Sequence, residues 1–196
     1  MLINDKKSLR AYYKKLRADM TKDDKASLDM SITEKLLQLD DFVNSKTMLV
    51  YVSSAIEIGT YEIIRRCFEM NKRVLAPRCV QGTNIMDFYE IKSFDDLEKG
   101  TFGIMEPCDK CEKTELFDTD SCCIVPALAY DMRGYRLGFG KGFYDRFLVR
   151  FAGKKVGLCY SSCIEDQLPA DEYDQTVNCI VTDKEIIEFN RKDSEF

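Results

Sequence analysis

Apolar positions along this chain follow two rhythms, one of helices and one of short strands. In residues 5–20, Leu9, Tyr12, Leu16 and Met20 recur at steps of three and four, which predicts a helix with one buried stripe. Lys6, Arg10, Lys14 and Arg17 gather on a neighbouring face. That face reads either as a solvated basic surface or as a source of cations, Lys6 and Arg10, for an anion site distant in sequence. Thr21 is placed to cap a second helix running to about Leu39, where Asp40 and Asp41 oppose the helix dipole. Met48–Val52 is a short β-prone run. A loop carrying Glu57 follows, then Thr60 as a cap for a helix over Tyr61–Met70. Arg73–Ala76 reads as a strand stopped by Pro77, Met86–Ile91 as an alternating strand, and Ser93 as the cap of a short helix closed by Gly100. Thr101–Lys113 reads as a loop and Cys122–Leu128 as a buried strand. Lys155–Tyr160 and Asn178–Thr182 read as two more strands, with a polar turn segment, Gln167–Asp174, between them. The tail DKEIIEFNRKDSEF reads as partly helical. There is no internal repeat or linker. The expectation is one α/β domain over residues 1–196, with a largely parallel sheet, helices on both faces and a ligand cleft at the C-terminal ends of the strands.

One stretch, VPALAYDMRGYRLGFGKGFYDRFL at 125–148, carries the densest chemistry. A buried strand leads to a turn at Asp131 and Gly134, then to Arg136 and glycines at 138, 140 and 142, then to an amphipathic run. Strand, glycine loop and helix make a layout that binds phosphate through backbone N–H groups. Arg136 and Lys141 add positive charge, and Asp145 adds a carboxylate suited to a phosphate-bound Mg²⁺. The glycine spacing matches neither a dinucleotide fingerprint nor a Walker A loop. The bland alternative is a tight turn with surface cations and Asp145 balancing the helix dipole. Glu57, between two isoleucines, is either a loop residue bonding nearby N–H groups or a carboxylate that grips the N–H edge of a heterocycle.

Composition narrows the classes. A chain of 196 residues buries about 70% of its unfolded surface, enough for a core without staples. Nine cysteines show no disulfide framework, and the N-terminus lacks an apolar leader, so reduced thiols and a cytoplasmic location are expected. Cys108 and Cys111 form a lone C-x-x-C pair, which reads as two ordinary thiols in preference to a zinc or redox site. No apolar run is long enough to span a membrane. A net charge of −5 argues against general nucleic-acid binding but not against a nucleotide. The chain has no histidine, which excludes a His triad, a His-ligated metal and a His general base.

The central stretch resembles the signature of 5-formyltetrahydrofolate cyclo-ligases, also called 5,10-methenyltetrahydrofolate synthetases. KKSLR, IEIGTYEII, VLAPR, MDFYEI, GTFGIMEP and PADEYD fall in that family's order, so the resemblance covers nearly the whole chain. It implies ATP-dependent, Mg²⁺-dependent cyclisation of 5-formyltetrahydrofolate to 5,10-methenyltetrahydrofolate, releasing ADP and phosphate. It implies that Lys6, Lys7, Ser8, Leu9 and Arg10 form one side of an ATP site. Arg136, Leu137, Gly138, Phe139, Gly140, Lys141, Gly142, Phe143 and Tyr144 would form the other. Arg136, Lys141 and Tyr144 would be catalytic. Val52 and Glu57, with Phe139, Gly140, Lys141, Gly142 and Phe143, would meet the folate, and Asp145 and Asp174 would hold Mg²⁺. The partner implied is a reduced folate, polyglutamylated or not, bound by a monomer or weak homo-oligomer.

Three departures stand out. Tyr173 occupies a position where many relatives have histidine, and Phe139 and Phe143 stand where the family often has tyrosine or another residue. None removes a residue the reaction needs. Two other readings stay open: a non-catalytic relative that binds nucleotide or folate as a regulator, and a phosphotransferase using the same loop.

Overall fold

The structure, a computed structural model, describes residues 5–100 and 103–189. Helices α1 (Lys6–Ala18), α2 (Lys22–Leu36) and α3 (Asp40–Asn44) lead to strand β1 (Thr47–Leu49). Next come α4 (Tyr61–Glu69), β2 (Arg73–Cys79), β3 (Met86–Ile91), β4 (Leu97–Lys99), β5 (Met105–Pro107) and β6 (Lys113–Thr114). Strands β7 (Ser121–Val125), β8 (Ala129–Asp131) and β9 (Arg136–Leu137) precede α5 (Phe143–Leu148). The chain then forms β10 (Lys154–Cys159), β11 (Ile164–Glu165), β12 (Cys179–Thr182) and β13 (Ile186–Glu188).

Eight strands form one mixed sheet in the order β13-β12-β10-β7-β1-β2-β3-β6. The five from β12 to β2 are parallel, and the outer strands pair antiparallel. β1, β7 and β12 are buried at every position, the mark of parallel strands covered on both faces. From the central pair the chain departs in opposite directions: β1 runs through α4 to β2, and β7 leads to β10 and β12. The connections therefore part between β1 and β7, and open α/β sheets bind ligands beyond the carboxyl ends of the strands at such a point. A small sheet, β11-β8-β9, follows β7 directly. Its Tyr130 donates to the Val125 carbonyl (2.8 Å) and packs on Gly157 of β10, where a Cβ would come within 2.6 Å of the ring. Phe147 of α5 meets Phe88 of β3 at 4.6 Å between ring centroids. Its near-complete burial contributes about 2–3 kcal/mol and fixes the helix that follows the glycine loop.

Several elements differ from the sequence expectation. In α1 the buried line is Leu9, Tyr13 and Arg17, while Tyr12 is half exposed. Tyr13 and Arg17 go inward because their polar tips find partners, Tyr13 donating to Glu165. Asp40 and Asp41 begin α3, where they complement its dipole, so α2 stops at Leu36. Thr60 stands at the N-cap of α4 as expected, but its hydroxyl does not bond the helix N–H groups; it donates to the Tyr51 carbonyl and accepts from the Ser53 N–H. β2 runs through Pro77 to Cys79. It can do so because β1 ends opposite Leu75, so beyond that point β2 has a ladder only with β3. The segment after Ser93 is a single 3-10 turn, Phe94–Asp96, closed by a capping box and followed by β4. Part of the segment expected as one loop forms β5 and β6; Thr101 and Phe102 lie outside the described residues. The tail holds a strand, β13, not a helix: Ile186 and Ile187 pair with β12 and cover the core. Residues 190–196 lie outside the described residues.

Candidate active site

Two loops leave the C-terminal ends of β1 and β7, and the residues singled out from sequence lie on or beside them. In the first, Tyr51 donates to the Ile58 carbonyl (3.1 Å), and Ser53 and Thr60 bond each other, giving the loop a fixed shape. Glu57 Oε2 accepts the Ser54 N–H (2.8 Å); Oε1 carries no hydrogen bond among the described residues. Val52 is buried. Arg17 of α1 ties this loop to the segment after β7, donating to the carbonyls of Ile56 (3.4 Å) and Leu128 (2.8 Å) while stacking on Tyr160.

The second loop rests on Asp131. Its fully buried carboxylate accepts from the N–H groups of Arg133, Tyr135 and Leu168 and pairs with the Arg133 guanidinium. The turn at Gly134 (φ 82°) sends the chain back as β9, which delivers a buried Arg136 to the start of the glycine loop. Gly140 (φ 100°) and Gly142 (φ 70°) adopt left-handed backbone that other residues resist. α1 supports the loop from outside. Arg10 Nε donates to the Gly138 carbonyl (2.9 Å), and Lys14 lies 5.8 Å above the Phe139 ring. Arg10 therefore reaches the glycine loop from a distant helix, and Lys6 reaches the 167–177 segment, so neither belongs to a purely solvated face.

Charges of both signs converge where α1, β9 and α5 meet the 167–177 segment. Arg136 Nη2 lies 2.6 Å from Asp145 Oδ1, and its Nη1 donates to the Gln175 carbonyl (2.8 Å). The Gln175 N–H also points to Asp145 (3.4 Å), so Asp145 meets the backbone of the residue that follows Asp174. Lys6 pairs with Asp174 (2.6 Å) and Asp171 (2.5 Å). Burial lowers the pKa of Lys6, but the bonds to Asp171 and Asp174 outweigh it, so the ammonium is held above its ordinary value. Tyr144 turns its hydroxyl inward, where it has no hydrogen-bond partner among the described residues. Burial pushes that hydroxyl well above its ordinary value; Cys123, Glu57 and Tyr51 push it the same way, and Arg136 pulls it down.

Not every expected residue offers a side chain here. Leu9 and Leu137 are buried in the core, and Phe139 and Phe143 pack partly against it. The N–H groups of Lys7 and Ser8 bond the Asp5 carboxylate. Among the described residues no three carboxylates, thiols or imidazoles form a metal cage. Mg²⁺ does not require such a cage, since it keeps waters and takes the rest of its shell from one or two carboxylates and from phosphates; Asp145 and Asp174 are of the residue type that could serve it. Cys108 and Cys111 are thiols 3.7 Å apart, remote in the fold on the connection after β5. A cleft of about 590 Å³ opens at the far end of β2, lined by Arg78, Tyr89, Lys99 and Glu106, without contribution from the glycine loop. Sequence reasoning missed Arg17, Asp131, Asp171 and Gln175 as supports. Asp131 was visible only as a turn residue, and Gln175 acts through its backbone, which leaves no sequence signal. Among the described residues no helix is long and apolar enough to cross a membrane.

Comparisons with known proteins cover most of the chain. The model of the 5-formyltetrahydrofolate cyclo-ligase family matches residues 2–183. A probable 5-formyltetrahydrofolate cyclo-ligase of Caenorhabditis elegans is 30% identical, covering 94% of this chain and 96% of its own. The 5-formyltetrahydrofolate cyclo-ligase of Mus musculus is 28% identical over 88% and 91% of the two chains. The solution structure of the Aquifex aeolicus 5,10-methenyltetrahydrofolate synthetase superposes with a TM-score of 0.83 at 32% identity, covering 97% and 96%. With a shared fold and a motif order kept from α1 to the last parallel strand, the chain belongs to the 5-formyltetrahydrofolate cyclo-ligase family.

Proposed function

We propose that the paired loops beyond β1 and β7 cyclise 5-formyltetrahydrofolate to 5,10-methenyltetrahydrofolate at the expense of ATP. The observation that carries this reading beyond family membership is the Tyr144 hydroxyl. A buried hydroxyl without a partner costs roughly 1–3 kcal/mol, and this one, on the helix directly after the glycine loop, is near enough to Glu57, Tyr51 and Arg136 to feel their charge. A ligand with polar atoms at that place would complete it.

The chemistry suits a protein without histidine. A formamide carbon is a poor electrophile because the nitrogen lone pair is delocalised into the carbonyl. The formyl oxygen attacks the γ-phosphorus, and the bond to the ADP oxygen breaks. The second folate nitrogen then attacks the formyl carbon, and the carbon–oxygen bond breaks with its electron pair leaving on phosphate. The proton on that nitrogen departs with the phosphate. Positioning and charge neutralisation do most of the work in such a transfer. Arg136 and Lys141 face the developing charge, Arg10 holds the loop, and Glu57 accepts hydrogen bonds from the amino and ring N–H groups of the pterin against the Val52 wall. Mg²⁺, held by Asp145 and Asp174, would supply further neutralisation of the phosphates. No side chain becomes covalently modified.

The test is to mix protein, 5-formyltetrahydrofolate, Mg²⁺ and ATP and follow the near-ultraviolet absorbance of the methenyl product. Lys141→Ala should lower turnover by about 10²-fold, as loss of a preorganised electrostatic contact does. Absence of ATP-dependent product, with nucleotide still bound, would overturn the catalytic reading in favour of a binding protein.

A further inference from the structure

The strap at 167–177 is fixed at both ends to the β8–β9 turn: the Leu168 N–H bonds Asp131, and the Val177 N–H bonds the Gly134 carbonyl (3.1 Å). Its middle meets charged groups of α1, β9 and α5. Asp171 and Asp174 share Lys6, and Gln175 joins Arg136 to Asp145. Both central pairs are shielded, with side-chain exposures of 21% and 18% for Lys6 and Asp174 and 4% and 27% for Arg136 and Asp145. Each carboxylate suited to a divalent cation is thus held by a cation suited to phosphate.

We infer that these are exchange pairs: nucleotide phosphates take Lys6 and Arg136 as a divalent cation takes Asp174 and Asp145, so the two ligands bind with positive coupling. The inference rests on the nucleotide reading of the glycine loop. A phosphate arriving alone strips Lys6 from Asp174 and leaves a shielded carboxylate uncompensated beside a new anion. A metal ion arriving alone leaves the Lys6 ammonium and Arg136 guanidinium facing a dication. Removing one partner of a shielded pair is the costly case. Arrival of both ligands re-pairs every group. The coupling is reciprocal, so each ligand tightens the other by the same factor. Asp171 gives the exchange its direction, because it is the second carboxylate on Lys6 and keeps the ammonium close when Asp174 turns to the metal.

The experiment is calorimetric titration with ADP, with Mg²⁺ and with chelator, alongside Mn²⁺ titration without nucleotide read by electron paramagnetic resonance. Wild-type protein should bind ADP about tenfold more tightly with metal, a typical coupling. Asp174→Asn, which leaves Lys6 with the more exposed Asp171 as its remaining carboxylate partner, should bind metal-free ADP more tightly than wild type and lose most of the gain from Mg²⁺. Asp145→Asn should behave alike through Arg136, and it serves as the second variant if the first unfolds. Lys6→Met should tighten Mn²⁺ binding without nucleotide. If Asp174→Asn and Asp145→Asn weaken ADP equally with and without metal, or Lys6→Met leaves Mn²⁺ binding unchanged, the exchange is wrong while the site stands. If wild-type protein binds no ADP in any condition, the nucleotide reading and the exchange both fail.

Discussion

Arg10 donates its Nε hydrogen to the Gly138 carbonyl across 2.9 Å, joining the first helix to a loop 128 positions later. This bond makes α1 part of the site. A Cβ on Gly140 would approach Arg10 Nε to 3.3 Å, and the residue already sits at φ 100°. Gly140→Ala should cost about 1–3 kcal/mol of backbone strain, lower the unfolding temperature and raise the Michaelis constant for ATP. Wild-type values for both would show that the loop tolerates a side chain there.

Tyr144→Phe separates stability from function. The hydroxyl has no partner to lose among the described residues, so thermal unfolding should be unchanged or slightly later. Turnover should fall by about 10²-fold, as for loss of a preorganised donor. A variant with wild-type turnover would remove Tyr144 from the reacting centre.

Arg17→Met keeps the aliphatic stem but leaves the carbonyls of Ile56 and Leu128 without their donor. Buried acceptors left unpaired should cost about 2–3 kcal/mol, read as a lower urea midpoint. Because Ile56 precedes Glu57, the Michaelis constant for the folate should rise more than that for ATP. An equal effect on both would confine Arg17 to general stability.

The thiols should be slow to alkylate. Burial, with Glu106 nearby, pushes Cys79 up to about 11, and burial with the Cys108 bond pushes Cys111 up to about 11. A raised pKa means that thiolate appears only as pH rises. At pH 7.5 its fraction is on the order of 10⁻³ to 10⁻⁴, because the thiolate is the reactive form. Peptide mapping after iodoacetamide treatment should show modification of both rising about tenfold per pH unit from 7 to 9. Rapid labelling at pH 7 would place one of them in an electropositive setting.

Much of the architecture was legible in local patterns: the β7 region reads as the continuous apolar run of a parallel strand, and Met86–Ile91 as the alternation of an antiparallel one. What stayed hidden depended on partners far along the chain. Ile186–Glu188 looked helical in isolation and became a strand because β12 offered an edge. The periodicity points to Tyr12, and Tyr13 takes the buried place because Glu165 supplies its partner. Lys6 and Arg10 could be named as candidate cations, yet nothing local showed that Lys6 would meet Asp174. The contacts around the glycine loop are therefore legible where the residues are contiguous and hidden where α1 crosses to the strap.

Gly157 lies in the middle of a core strand and touches no group proposed to meet a ligand, yet the ring of Tyr130 rests where its side chain would be. Tyr130 belongs to β8, β8 pairs with β9, and β9 carries Arg136. A single methyl at 157 would act as a shim under the small sheet and tilt it as one plate. The guanidinium would then leave its place beside Asp145 although both residues remained. Loss-of-function variants of this protein should thus include core-strand positions whose damage appears as misalignment, with the protein still folded.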